Sequence, residues 1–151
     1  MTDGTRSPEE VRIARTDEEI LACLPVMSQL RPHLTDAAAF LAQVRRQAAQ
    51  QFELAYVEEN GRVVAVAGFR LAECLFSGRF LYVDDLITEA TRRSAGHGQR
   101  LFDWLVQHAA ANRCTSLRLD SGVQRFAAHR FYLRNRMSIV CHHFDLPIAA
   151  Q

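Results

Sequence analysis

The stretch Leu86-Ile87-Thr88-Glu89-Ala90-Thr91-Arg92-Arg93-Ser94-Ala95-Gly96-His97-Gly98-Gln99 joins two different hydrophobic patterns. Before it, Phe80 to Thr88 reads as a β-strand. After it, Leu101, Phe102, Leu105, Val106 and Ala109 share one face of a helix running to about Asn112. Between them, from Arg92 to Gly98, lies a Gly-containing turn. The first N–H groups of a helix have no partner within the helix. With the positive end of the helix dipole they form an anion site suited to a pyrophosphate. Gly96 and Gly98 allow unusual φ and close approach of the backbone, and Arg92 and Arg93 add charge for phosphates. The turn is not a Walker A loop, because it lacks Gly-Lys-Ser/Thr, and it is not a dinucleotide G-x-G-x-x-G.

Outward from this junction the chain alternates strands and helices. Val11-Arg12-Ile13 forms a short strand. Thr16 or Asp17 caps a helix with Glu18 and Glu19 in its first turn and Ile20, Leu21, Leu24 and Met27 on its apolar stripe. Pro25 kinks or divides that helix. A second helix, capped by Thr35 or Asp36, runs to about Gln50. Phe52–Glu58 and Arg62–Phe69 are antiparallel strands around the hairpin turn Asn60-Gly61, and Phe80–Thr88 completes a meander. Strand alternation places Asp84 and Asp85 on opposite faces. Thr115–Leu119 is a strand, Gln124–Asn135 a helix and Ser138–Leu146 a final strand. The order β-α-α-β-β-β-α-β-α-β predicts an α/β or α+β layered fold.

At 151 residues the chain fits one domain, residues 10–151, behind a polar, flexible tail at 1–9. With 48% hydrophobic and 23% charged residues, wholesale disorder is excluded. No apolar run approaches the roughly 20 residues that cross a bilayer. No secretory signal opens the chain, so a cytoplasmic location without membrane partners is expected. Cys23, Cys74, Cys114 and Cys141 lie far apart without metal-ligand spacing; they read as small core residues, and no metal site is expected. His97 reads as exposed, Trp104 as packing, and His142 and His143 as one buried and one exposed. A net charge of +1 provides no electrostatic footprint for nucleic acid. The charge is uneven, however. Residues 1–91 hold nine Arg against fourteen Asp and Glu, and residues 92–151 hold nine Arg against three Asp.

Two motifs then make the sequence similar to the GNAT superfamily of acyl-CoA-dependent N-acetyltransferases. Arg93-Ser94-Ala95-Gly96-His97-Gly98 matches the family loop Q/R-x-x-G-x-G/A, and Ala128-His129-Arg130-Phe131-Tyr132 looks like its A-x-x-F-Y signature. The resemblance implies a mixed, mostly antiparallel central sheet with helices on both faces. It implies acetyl-CoA as cosubstrate, its pantetheine paired along Leu86, Ile87 and Thr88. The pyrophosphate would lie on Arg93, Ser94, Ala95, Gly96, His97 and Gly98. Tyr132 is implied as the acid that protonates the leaving thiolate. Leu81 to Leu86 is similar to a strand of the spermidine/spermine N-acetyltransferases, which implies Asp84 as base and Asp85 as the residue holding the amine. The family's acceptor pocket is built largely by the first two helices and the meander loops.

Some positions depart from the family pattern. Arg125 stands where an Asn is frequent, and Arg136-Met137 where Gly-Phe is frequent. A single strand follows Tyr132 in place of a hairpin, so a partner subunit in a homodimer could complete that edge. The expected function is acetyl transfer from acetyl-CoA to a primary amine of a small-molecule or peptidic acceptor. The acidic first half and Asp84/Asp85 suggest that the acceptor is cationic. The alternative is a non-catalytic acyl-CoA-binding regulatory module.

Overall fold

The computed structural model describes residues 10–150; the tail expected at 1–9 lies outside the described residues. The chain divides into two compact units, the first ending at Arg118 and the second beginning at Leu119.

The strands β1 (Val11–Ile13), β2 (Phe52–Glu59), β3 (Arg62–Cys74), β4 (Gly78–Thr88) and β5 (Ser116–Leu119) form one sheet in sequential order. The first four pair antiparallel. Asn60 and Gly61 turn the β2–β3 hairpin with φ of 51° and 76°, the left-handed values that a tight two-residue turn requires.

The first predicted helix is divided, as Pro25 suggested. It becomes α1 (Asp17–Ala22) and α2 (Leu24–Leu30), with Pro25 in the first turn of the second, where its missing N–H costs no hydrogen bond. Thr16 caps α1 in a reciprocal box with Glu19, and Asp36 caps α3 (Ala37–Ala48).

These three helices cover one face of the sheet. Ile20, Val26, Met27, Phe40 and Val44 pack there with Phe52, Leu54, Tyr56, Val66 and Ile87 in a buried cluster. The other face receives α4 (His97–Ala111), which buries Leu101, Phe102 and Leu105. Phe69 meets Trp104 edge-on at 5.7 Å and His108 at 5.4 Å on that side. Trp104 is thus a packing residue, as read.

β4 is not a regular strand. Phe69 pairs with Val83 but Gly68 pairs with Asp85, so Asp84 is an extra residue without a register partner. Such a bulge brings two consecutive side chains to the same side and reverses the alternation beyond it. Val83 shares the face of Phe69, toward α4, whereas Ile87, opposite Val66, joins the cluster under α1–α3. The expected placement of Asp84 and Asp85 on opposite faces is therefore corrected: both line the same cavity.

The second unit contains α5 (Phe126–Arg134). The strand expected over Ser138–Leu146 does not form. Residues 138–150 hold no helix or strand and are exposed. The apolar sequence of that stretch is compatible with a strand, but a strand also needs a neighbour to take its backbone hydrogen bonds. His142 and His143 are consequently both exposed, against the expected buried and exposed pair. Of the four thiols only Cys23 is buried, which corrects the reading of all four as core residues.

Candidate active site

The first part of the site is the junction between β4 and α4. A short 3₁₀ turn, Ala90–Arg92, follows the strand. Ser94 and Gly96 then take left-handed φ of 71° and 85°. Gly96 occupies the N-cap position of α4, and no side chain caps the helix. The first-turn N–H groups are thus not consumed by a capping side chain, and no acidic residue lies in that turn. A Cβ built on Gly98 would lie 3.1 Å from Thr88 Oγ1, so the start of α4 rests directly against the last residue of β4.

Arg93, Ser94, Ala95 and Gly96 are exposed. Arg92 is engaged with Glu59, so of the two arginines expected at phosphates it already holds a carboxylate. His97 is only 2% exposed, against the expectation of an exposed loop histidine. It lies four and eight residues before Leu101 and Leu105, on the same buried stripe, and that spacing was a signal available in the sequence. Its Nδ1 lies 3.0 Å from Arg100 Nη1. A guanidinium only donates, so Nδ1 accepts and the ring proton belongs on Nε2, 3.9 Å from Glu59 Oε2.

Beside Leu86, Ile87 and Thr88, where the cosubstrate was expected to pair, the far edge of β4 lies beyond the length of β5. β5 is tied to β4 near Arg79, whose carbonyl accepts from Thr115 N–H at 2.8 Å. Four strand residues span only about 13 Å, whereas Leu86 lies seven residues, about 23 Å, beyond Arg79. Leu86, Ile87 and Thr88 pair with β3 on one side and extend past the reach of β5 on the other. Glu89 N–H donates to the Val64 carbonyl at 2.8 Å, so by ladder alternation Ile87 spends its backbone groups on Val66 while Leu86 and Thr88 turn theirs away from β3.

The second part is a cavity of about 300 Å³ on the α1–α3 face. Met27, Phe40, Phe52 and Leu54 are among its apolar lining, and Arg31, His33, Gln43, Gln47, Asp84 and Asp85 form its polar lining. Arg70 clamps Asp84 with two parallel hydrogen bonds, Nε to Oδ2 and Nη2 to Oδ1, both 2.9 Å. Arg31 donates Nε to Asp85 Oδ1 at 2.9 Å and Nη2 to the Asp84 carbonyl at 3.0 Å. The second bond satisfies the backbone group that the bulge leaves without a ladder partner.

Asp85 Oδ2 lies over Gly68, 2.5 Å from where a Cβ would be. Burial raises the Asp85 carboxyl above its ordinary value, and the hydrogen bond and charge of Arg31 oppose that rise in part. Arg31, Arg70 and Gly68 were missed by sequence reasoning. A glycine within a strand is a bulge or close-approach signal, so Gly68 could have been found. The arginines lie 54 and 14 residues from their carboxylates, and no local pattern marks them.

Tyr132 belongs to the second unit. Its ring packs edge-on against Phe131 at 5.7 Å, and it lines a cavity of about 420 Å³ with Leu119, Val123, Leu133 and His143. Burial raises its phenol above the ordinary value, with Arg125 opposing. Among the described residues no group of three His, Cys, Asp or Glu is placed to hold a metal. No helix among them is long and apolar enough to cross a membrane.

The family model described as the acetyltransferase (GNAT) family matches residues 13–136. The chain belongs to this family, and with it to the N-acetyltransferases. It is similar to "Uncharacterized N-acetyltransferase YhdJ" of Bacillus subtilis, with 33% identity over 116 residues, covering 76% of this chain and 81% of that protein. Solved structures agree in fold. A transcriptional regulator from Bacillus halodurans superposes with a TM-score of 0.82 at 16% identity, covering 93% of this chain and 99% of that one. A ribosomal-protein-alanine N-acetyltransferase from Brucella melitensis gives 0.80 at 13% identity, covering 92% and 99%.

Proposed function

We propose that the enzyme transfers the acetyl group of acetyl-CoA to the amine of a small acceptor held in the cavity beside Asp85. The observation that carries this reading is the continuity between the β4 edge at Leu86–Thr88 and the uncapped start of α4 at Gly96–Gly98. These parts fit acetyl-CoA. Arg93, Ser94, Ala95, Gly96, His97 and Gly98 would hold the pyrophosphate through backbone N–H groups and the Arg93 charge. The backbone of Leu86, Ile87 and Thr88 would take the amide-bearing pantetheine as an added strand. The thioester supplies an activated acetyl group. The family match across residues 13–136 supports treating 10–151 as one catalytic domain.

An acceptor amine arrives as an ammonium and must lose a proton before it can attack. We assign this proton to Asp85 rather than Asp84. Both oxygens of Asp84 are committed to Arg70, whereas Asp85 gives only Oδ1 to Arg31 and is the carboxylate raised by burial. The amine nitrogen then forms the new C–N bond as the C–S bond breaks. The sulfur would leave as thiolate and take a proton from the Tyr132 hydroxyl; the nitrogen's second proton, released as the amide forms, passes to solvent, and solvent restores Tyr132. Asp85 returns its proton to solvent.

The test is calorimetric titration with acetyl-CoA, with 3′-dephospho-CoA and ATP as comparisons, followed by thiol release with an amine panel. Saturable binding selective for acetyl-CoA with amine-dependent thiol release is expected. No binding by folded protein overturns the reading. Binding with no transfer to any amine would return the alternative, an acyl-CoA-binding regulatory module.

A further inference from the structure

The charge pattern of the 300 Å³ cavity departs from what its two aspartates suggest in the sequence. A pocket of two free carboxylates would call for a dicationic amine. Each carboxylate here has its own arginine: Arg70 occupies both oxygens of Asp84, and Arg31 occupies Oδ1 of Asp85. Arg31 spends Nε and Nη2 on Asp85 and on the Asp84 carbonyl, and Nη1 has no protein acceptor among the described residues. The Arg31 side chain is 42% exposed and that of Asp85 15%. One cation with an unspent donor therefore stands 2.9 Å from one anion with an unspent oxygen, both lining the cavity.

We propose that the acceptor is a small amino-carboxylate, an amino acid with an apolar side chain, whose amine lies on Asp85 Oδ2 and whose carboxylate lies on Arg31 Nη1. This inference rests on the reading of the cavity as the acceptor site. A zwitterion laid against the Arg31–Asp85 pair presents each charge to its opposite. It extends an ion pair into a four-charge ring and leaves no charge unpaired on entering a partly dry cavity. The apolar lining from Met27, Phe40, Phe52 and Leu54 receives the side chain. The volume is at the lower end of ligand pockets, which run roughly 300–1,000 Å³, and favours a single small molecule. A polyamine would meet one unspent carboxylate oxygen and an arginine beside it, a repulsive neighbour for its second charge.

The experiment compares apolar L-amino acids with their own amides and with linear diamines, on the full chain, by calorimetric binding and by mass detection of acetylated product. An amino acid is expected to bind roughly tenfold or more tightly than its amide, the worth of a charged hydrogen bond. Arg31→Met should erase that preference and Arg31→Lys retain part of it. The wild-type comparison needs no variant, so misfolding of either variant leaves the test intact. Amides or diamines binding as well as the amino acids overturn the proposal, as does no binding by any amino acid, or a preference that survives Arg31→Met. Acid-selective binding without acetylated product supports the carboxylate anchor and counts against the transferase reading. Acetylation of amides and diamines with amino acids inert does the reverse.

Discussion

Gly68 and Asp85 face each other across the β3–β4 ladder, and Asp85 Oδ2 occupies space that any larger residue at 68 would claim. A methyl group there would sit 2.5 Å from Oδ2 and 2.7 Å from Phe52 Cζ. Gly68→Ala is therefore expected to lower stability by about 1–3 kcal/mol, as overpacking does, and to displace the carboxylate. Thermal denaturation and steady-state kinetics check this together. A variant with wild-type melting and wild-type kcat/KM would show that the close approach is dispensable.

The two neighbouring carboxylates should respond differently to neutralisation. Asp85→Asn is expected to reduce kcat by roughly 10²–10⁴, the range for loss of a general base. Asp84→Asn should reduce it by less, because its carboxylate is already spent on Arg70. The pH profile gives a separate readout. Only ionised Asp85 accepts a proton, so kcat/KM should rise with pH through a limb displaced upward from the ordinary aspartate value, because burial raises that pKa. Arg31 favours the ionised form, so Arg31→Met should move the limb to higher pH. A limb that stays in place would remove Asp85 as its source.

Gly96 caps α4 at φ 85°, a conformation costing other L-residues about 1–2 kcal/mol. Gly96→Ala should weaken acetyl-CoA binding more than it weakens acceptor binding, since the loop and the acceptor cavity are built from different residues. Paired titrations of the two ligands distinguish this from general destabilisation, which would weaken both equally.

Cys74 offers a chemical check on the β3–β4 turn. Hydrogen bonding from Ser77, with help from Arg118, brings its thiol down to about 7, while burial pushes Cys23 up to about 12. Iodoacetamide should therefore modify Cys74 with a midpoint near pH 7, and spare Cys23 in the folded protein. Ser77→Ala should raise the midpoint and slow modification at neutral pH. Mass mapping of the alkylated peptides follows both sites at once.

Most elements were legible because each is announced locally. Asn60-Gly61 marks its hairpin, Pro25 divides its helix, and Thr16 and Asp36 open theirs. The junction from Leu86 to Gly98 was legible for the same reason: a strand, a glycine turn and a helical stripe stand side by side. The cavity was not, because its electrostatics come from arginines brought in by tertiary packing. Strict alternation also misplaced Asp84 and Asp85, since one extra residue reverses the parity. The apolar stretch after Ser138 met the compositional requirement for a strand but has none of the backbone partners that make one.

The bulge gives β4 two phases. Leu81 and Val83 are written in one frame and Ile87 in the other, with the aspartates at the change of frame. Chain length at this point thus becomes a specification separate from composition. Deleting one residue between Val83 and Ile87 would restore a single frame. Ile87, now three residues from Val83, would keep its place under α1–α3, but only one carboxylate would still face the cavity.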